Sequence, residues 1–231
     1  MAKEKITFGD GVYEGDIADG KPHGKGKFTD SDGSVYEGDF VNGKWHGKGK
    51  YTTLGGKLYE GDFVEGKAQG KGKMKWGDDG RVYSGDFAND TLNGKGKMSY
   101  LDGRVEEGSW ENGWLHGKGV YIDEHGAVYQ GDFVKGKMTG KGKISYAADD
   151  FVYEGDFVDG KFHGKGKFTY GSDGPIQEGY WNAGKFAGET PVELPQEPAE
   201  VESKTEILTA DEIEQLLSQV SGSSAGEQLK K

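Results

Sequence analysis

The sequence predicts an all-β fold: an elongated single-layer antiparallel sheet of eight stacked β-hairpins, followed by a flexible linker and one short C-terminal α-helix. Three observations carry this reading. A block of alternating aromatic and polar residues recurs every 23 or 24 residues. A two-residue turn signal such as Asn42-Gly43 divides each copy. Glycine supplies 43 of the 231 residues, but without the three-residue period of collagen, and 12% aromatic content is too high for a disordered chain.

The elements follow in order along the chain. Lys5-Ile6-Thr7-Phe8 resembles the second strand of a repeat and is placed to cap the first hairpin. The unit Val35-Tyr36-Glu37-Gly38-Asp39-Phe40 then recurs, its leading position falling at Tyr13, Tyr36, Tyr59, Tyr83, Glu106, Tyr129, Tyr153 and Gln177. Ten residues after each comes a second block, typified by His46-Gly47-Lys48-Gly49. Asn-Gly and Asp-Gly between the blocks favour a type I′ turn, which joins two strands with a right-handed twist. A two-residue turn sets the register. Counted outward from it, Phe40 faces Trp45, Asp39 faces His46, Gly38 faces Gly47, Glu37 faces Lys48 and Tyr36 faces Gly49. One face then carries aromatic rings and glycines, and the other carries opposite charges paired across strands. A facing glycine leaves room for a ring, and because glycine weakens an isolated strand, neighbouring hairpins must supply the missing contacts. Eight copies at two strands each predict a ribbon about 75–80 Å long.

The aromatic face is the expected partner-binding groove. Its candidate residues are Tyr13, Tyr36, Phe40, Trp45, Tyr59, Phe63, Tyr83, Phe87, Trp110, Trp114, Tyr129, Phe133, Tyr153 and Phe157. Copy five departs from the pattern, with Glu106 for the leading tyrosine, Ser109-Trp110 for Asp-Phe, and Trp114 after the turn. Two readings stand: drift compensated by tryptophan volume, or a hot spot for a partner. Copy eight, with Gln177, Tyr180 and Trp181, is expected to lose its second strand and to serve as the C-terminal cap.

The unit Tyr-Glu-Gly-Asp-Phe, a glycine turn and His-Gly-Lys-Gly at this period resembles the MORN repeat over residues 12–189. That resemblance implies an elongated sheet of hairpins and, for many members, service as scaffolds or interaction modules; lipid binding has been proposed for some.

The charges exclude several function classes. Residues 1–189 hold 26 basic against 31 acidic residues, and residues 190–231 hold 3 against 9. Neither part presents the clustered positive charge that nucleic acid requires. Membrane contact through the lysine-bearing face is an alternative that net charge does not favour. No apolar run approaches the roughly 20 residues of a membrane span, and no apolar leader is present near Met1, so a cytoplasmic location is expected. Gly-x-x-x-x-Gly-Lys occurs in six copies, for example Gly38 to Lys44, but a P-loop needs a following Ser or Thr and a strand-to-helix junction, and neither is present. His23, His46, His116 and His163 share one repeat position, yet successive copies about 10 Å apart cannot share a metal ion. They read as cross-strand partners of Asp16, Asp39, Ser109 and Asp156. The sequence therefore assigns no catalytic residue, no cofactor and no metal site.

From Pro191 the composition changes. Residues 190–204 read as an acidic, proline-containing linker. Residues 205–222 read as an amphipathic docking helix. Thr209 and Glu212 form a capping box, Leu208 and Ile213 a hydrophobic staple, and Ile213, Leu216, Leu217 and Val220 one apolar stripe that ends before Gly222. The stripe either docks back on the array as a cap or engages a partner's groove. Residues 223–231 are expected to be a disordered terminus. Residues 207–217 also resemble the short segment with which bacterial flagellar motor-switch proteins bind the phosphorylated chemotaxis response regulator. Glu212, Ile213, Leu216 and Leu217 match it, while Glu214 and Gln215 depart from it. The resemblance implies a motility or chemotaxis protein as partner.

Overall fold

The computed structural model describes residues 3–146, 150–171, 173–191 and 215. The chain divides into two compact units, Met1–Leu101 and Asp102–Lys231, and its described strands are antiparallel throughout. The predicted docking helix and the terminus lie outside the described residues, apart from Gln215, and so does the predicted linker beyond Pro191.

The first unit opens with β1 (Glu4–Phe8). Four hairpins follow: β2 (Gly11–Ala18) with β3 (Lys21–Thr29), β4 (Val35–Val41) with β5 (Lys44–Thr52), β6 (Leu58–Val64) with β7 (Lys67–Lys75), and β8 (Val82–Ala88) with β9 (Thr91–Ser99). Each strand of this unit pairs with the next in chain order. β1 caps the first hairpin as expected, with Ile6 opposite Tyr13. The second unit repeats the plan with β10 (Val105–Glu111), β11 (Trp114–Ile122), β12 (Val128–Val134), β13 (Lys137–Tyr146), β14 (Phe151–Val158), β15 (Lys161–Tyr170), β16 (Ile176–Asn182) and β17 (Lys185–Gly188). Copy eight thus keeps its second strand, shortened to four residues, because Trp181 still has Phe186 to pair with.

Both central residues of every hairpin turn take positive φ, as a type I′ turn requires; Asn42 lies at 51° and Gly43 at 82°. The turn also joins hairpins to one another. The Gly43 N–H donates to the Pro22 carbonyl of the preceding hairpin at 2.9 Å, and Gly66 to Trp45, Gly136 to Leu115 and Gly160 to Met138 do the same. Copy four has no glycine there. Asp90 adopts the conformation at φ 68°, donates its N–H to Ala68, and accepts the Ala68 N–H on its side chain at 2.7 Å.

The predicted register holds for three residues from the turn and then slips. Phe40 faces Trp45 and Asp39 faces His46, but Gly38 faces Gly49, Glu37 faces Lys50 and Tyr36 faces Tyr51. A β-bulge at Gly47-Lys48 accounts for the two extra residues. Gly47 sits at φ 56°, and the Asp39 carboxylate accepts the Lys48 N–H at 3.1 Å. A shift of two leaves every later side chain on its predicted face.

The core is one row of rings in each unit. In the first unit Phe40, Phe63 and Phe87 each make a T-shaped contact with the tyrosine of their own hairpin and with that of the hairpin before. Tyr13–Phe40, Phe40–Tyr36, Tyr36–Phe63, Phe63–Tyr59, Tyr59–Phe87 and Phe87–Tyr83 all lie at 4.9–5.2 Å between centroids. Such pairs contribute about 0.5–1.5 kcal/mol each beyond area burial. The tyrosine hydroxyl donates to the carbonyl of the aspartate three residues on, as from Tyr36 to Asp39 at 2.9 Å. Its ring lies over two facing glycines: a Cβ on Gly61 would stand 2.6 Å from the Tyr59 oxygen and 2.6 Å from the Gly72 Cα.

Gly61→Ala is therefore expected to lower stability by at least about 1–3 kcal/mol through overpacking against backbone that cannot yield. Tyr59→Phe, which deletes only the hydroxyl bond, should cost about 1 kcal/mol. Urea unfolding of the two variants checks the order.

Candidate interaction surface

The structure places the expected groove residues in the core. Tyr13, Tyr36, Tyr83, Tyr129 and Tyr153 are 0% exposed, and Tyr59, Phe40, Phe63, Phe87, Phe133, Phe157 and Trp110 are also buried. Trp45 is half-buried and stacks flat on Tyr36 at 4.5 Å. Trp114 stands apart at 58% exposure, beside the turn glycine Gly136.

Copy five achieves the same packing with different chemistry. Glu106 takes the tyrosine position, and buried Leu115 fills the space over Gly108 and Gly119 instead of a phenol ring. On the opposite face Val105, Val120 and Ile122 are buried as well. Val120 faces Gln130 at the rung where Lys50 faces Glu60 in the first unit, so a charged rung has become an uncharged one. Trp110 belongs to this packing, whereas Trp114 is presented to solvent.

The polar face joins neighbouring hairpins. Asp39, Asp62, Asp86 and Asp156 each use one oxygen for the backbone of their own bulge and the other for the lysine of the preceding hairpin. Asp39 takes Lys48 N–H and Lys25 Nζ (2.7 Å), and Asp62 takes Lys71 N–H and Lys48 Nζ (2.6 Å). In the second unit Lys118 pairs with Asp132 at 2.8 Å and Lys141 with Asp156. Sequence reasoning missed this clamp. Its signal was the first glycine of His-Gly-Lys-Gly, two positions before the one that faces a ring. His46 and His163 do stand opposite Asp39 and Asp156, but the bulge removes Asp16 and Ser109 from the ladder opposite His23 and His116. Among the described residues no group of three His, Asp or Glu side chains is arranged to hold a metal ion.

A groove of about 520 Å³ lies on this polar face of the second unit. Its floor is the backbone of Gly131, Gly142, Gly155 and Gly166, and its walls are Lys118, Lys141, Lys143, Lys165 and Lys167 with Gln130, Glu154 and Glu178. Pairing along it is incomplete. Lys165 faces Tyr180 where most copies have aspartate, and Lys143, Lys165 and Lys167 form no ion pair among the described residues.

The MORN repeat model matches residues 13–35, 36–53, 59–81, 83–103, 107–126, 129–150 and 153–174. The chain belongs to the MORN-repeat family. Seven of its hairpins carry the match, and the eighth, β16 with β17, lies beyond it. Among solved structures, the chain is similar to the TCP domain of Drosophila melanogaster SAS-4 (dCPAP), solved in complex with a proline rich motif of Ana2 (dSTIL). That likeness has 9% identity and a TM-score of 0.45, over 78% of this chain and 90% of that one. It is also similar to the TCP10c domain of Drosophila melanogaster Sas-4, at 10% identity and a TM-score of 0.41, over 78% of this chain and all of that one. No curated protein matches the chain.

Burial controls the titration of the MORN tyrosines. Desolvation, helped by the charge of the neighbouring aspartate, raises Tyr36, Tyr83, Tyr129 and Tyr153 far above the ordinary phenol range. It pushes Tyr59 up to about 12. A pKa raised in the folded state means that the fold favours the neutral phenol. Stability is therefore undiminished below the unfolded value of 10.0 and falls as pH rises toward about 12. Residue-resolved alkaline titration by NMR is expected to show Tyr36, Tyr59, Tyr83, Tyr129 and Tyr153 ionising only together with loss of β-sheet circular dichroism, well above the range of free tyrosine. Ionisation of these five at pH 10 with the sheet intact would contradict the burial of their hydroxyls.

Proposed function

We propose that this chain is a non-enzymatic, cytoplasmic protein-interaction scaffold. The MORN array is the rigid support, and the helix expected over residues 205–222 is the element that captures a partner protein. The observation that carries the reading is the use of the repeat's own chemistry: its rings are buried against one another, and its aspartates and lysines link adjacent hairpins. The most sequence-specific feature left for recognition is the apolar stripe of Leu208, Ile213, Leu216, Leu217 and Val220 with Glu212. Exposed Trp114 supplies a second anchor on the array, since solvent-facing tryptophan is enriched at binding hot spots. In its specific form the partner is a flagellar motor-switch or chemotaxis component, supported by the match at Glu212, Ile213, Leu216 and Leu217.

Affinity capture with the full chain and with a chain ending at Glu189 is expected to recover a partner with the first and lose it with the second. Equal recovery would move the binding site onto the array. A peptide of residues 205–222 is expected to bind a phosphorylated chemotaxis response regulator at micromolar concentration; no binding there removes the motility partner and leaves the scaffold.

A further inference from the structure

The groove of the second unit carries more positive charge than its walls neutralise. Five lysines line it against two glutamates, and Lys143, Lys165 and Lys167 are exposed and without ion pairs among the described residues. It crosses strands β11 to β16, and β17, from which the chain leaves, pairs with β16 at one end of it. The residues that follow Pro191 are Val192-Glu193-Leu194-Pro195-Gln196-Glu197-Pro198-Ala199-Glu200-Val201-Glu202, with four glutamates and no lysine or arginine. Charge, position and length therefore agree on one occupant.

The dimensions agree too. Five strand spacings of about 4.8 Å make a groove about 24 Å long. A proline-containing extended segment advances about 3.1 Å per residue, so roughly eight residues span it. Two strands measure about 9.6 Å and three extended residues about 9.3 Å, which keeps every third residue in step with successive hairpins. Val192, Pro195, Pro198 and Val201 stand at that spacing. On a three-fold extended helix they would make one row, and the glutamates would fall on the other two rows. The small apolar row suits a floor of bare glycine backbone, and the acidic rows suit walls of lysine.

We propose that residues 192–202 lie along this groove, apolar row down on Gly131, Gly142, Gly155 and Gly166, with their glutamates against Lys143, Lys165 and Lys167. The array would then direct the linker from β16 toward β11 and deliver residues 205–222 at the β11 end. The inference goes beyond the scaffold reading and does not depend on who the partner is.

The chain has no cysteine, so Ser203→Cys gives a single attachment point for a spin label on the full-length protein. At low salt the label is expected to abolish the amide signals of Lys118, Gln130 and Gly131. The signals should return in about 0.5 M salt, where the screening length falls to roughly 4 Å. They should also return in the Lys143→Ser/Lys165→Ser/Lys167→Ser variant, whose changes lie at exposed positions. If that variant does not fold, Glu193→Gln, Glu197→Gln, Glu200→Gln and Glu202→Gln in the tail test the same contact with the array unaltered. Undiminished groove signals at low salt overturn the proposal, as does broadening confined to β16 and β17. Broadening that also appears when labelled and isotope-enriched chains are separate molecules overturns it in favour of a second copy.

Discussion

Each tyrosine ring lies across a pair of glycines on adjacent strands, and most of the array follows from that contact. The ring can reach the sheet surface only where both strands lack a Cβ, so the glycines at Gly38 and Gly49 and their equivalents are set by volume. Lying flat there, the ring directs its hydroxyl to the backbone carbonyl three residues on and meets two phenylalanines in T-shaped contact. One contact thereby defines the hairpin's bend, its bond to itself and its bond to the next hairpin. A single sheet layer has no second layer to bury its apolar face, and this lateral packing of rings takes that role.

The polar face solves the same problem with charge. The aspartate clamp fixes the bulge, and the bulge aims the following lysine at the next hairpin's aspartate. Exposed ion pairs of this kind contribute little individually, about 0–1 kcal/mol. Their regular spacing sets lateral register while the rings supply most of the cohesion. At Tyr180 the aspartate is replaced, and Lys165, which faces it, forms no ion pair among the described residues. Lys165 is one of the five lysines that line the groove of the second unit.

Most of the fold was legible because its determinants are local. Turn chemistry, alternation and the repeat period each act within one hairpin, and Asn42-Gly43 alone sets three correct cross-strand pairs. The bulge was not legible, because Gly47 and Gly49 are the same residue type and only the backbone distinguishes a positive φ from a ring contact. The binding surface was read less well for a related reason. Alternation identifies which residues share a face, but whether a face is open or filled depends on how far side chains from neighbouring hairpins reach. Tyr36 is covered by Phe40 and Phe63, and Phe63 comes from the next copy. The polar face, read as opposite charges paired across strands, holds the groove.

The turn-to-turn bond has a consequence for how such a chain changes over generations. The Gly43 N–H meets the Pro22 carbonyl just as Gly66 meets that of Trp45, so within a unit the donor edge of one hairpin fits the acceptor edge of any other. Duplicating or deleting one whole copy leaves every surviving joint intact, whereas an insertion of a few residues within a copy breaks two. Length in such an array is inherited in whole modules, and β1, which caps the first hairpin and belongs to none, is a place where a lineage must invent something different.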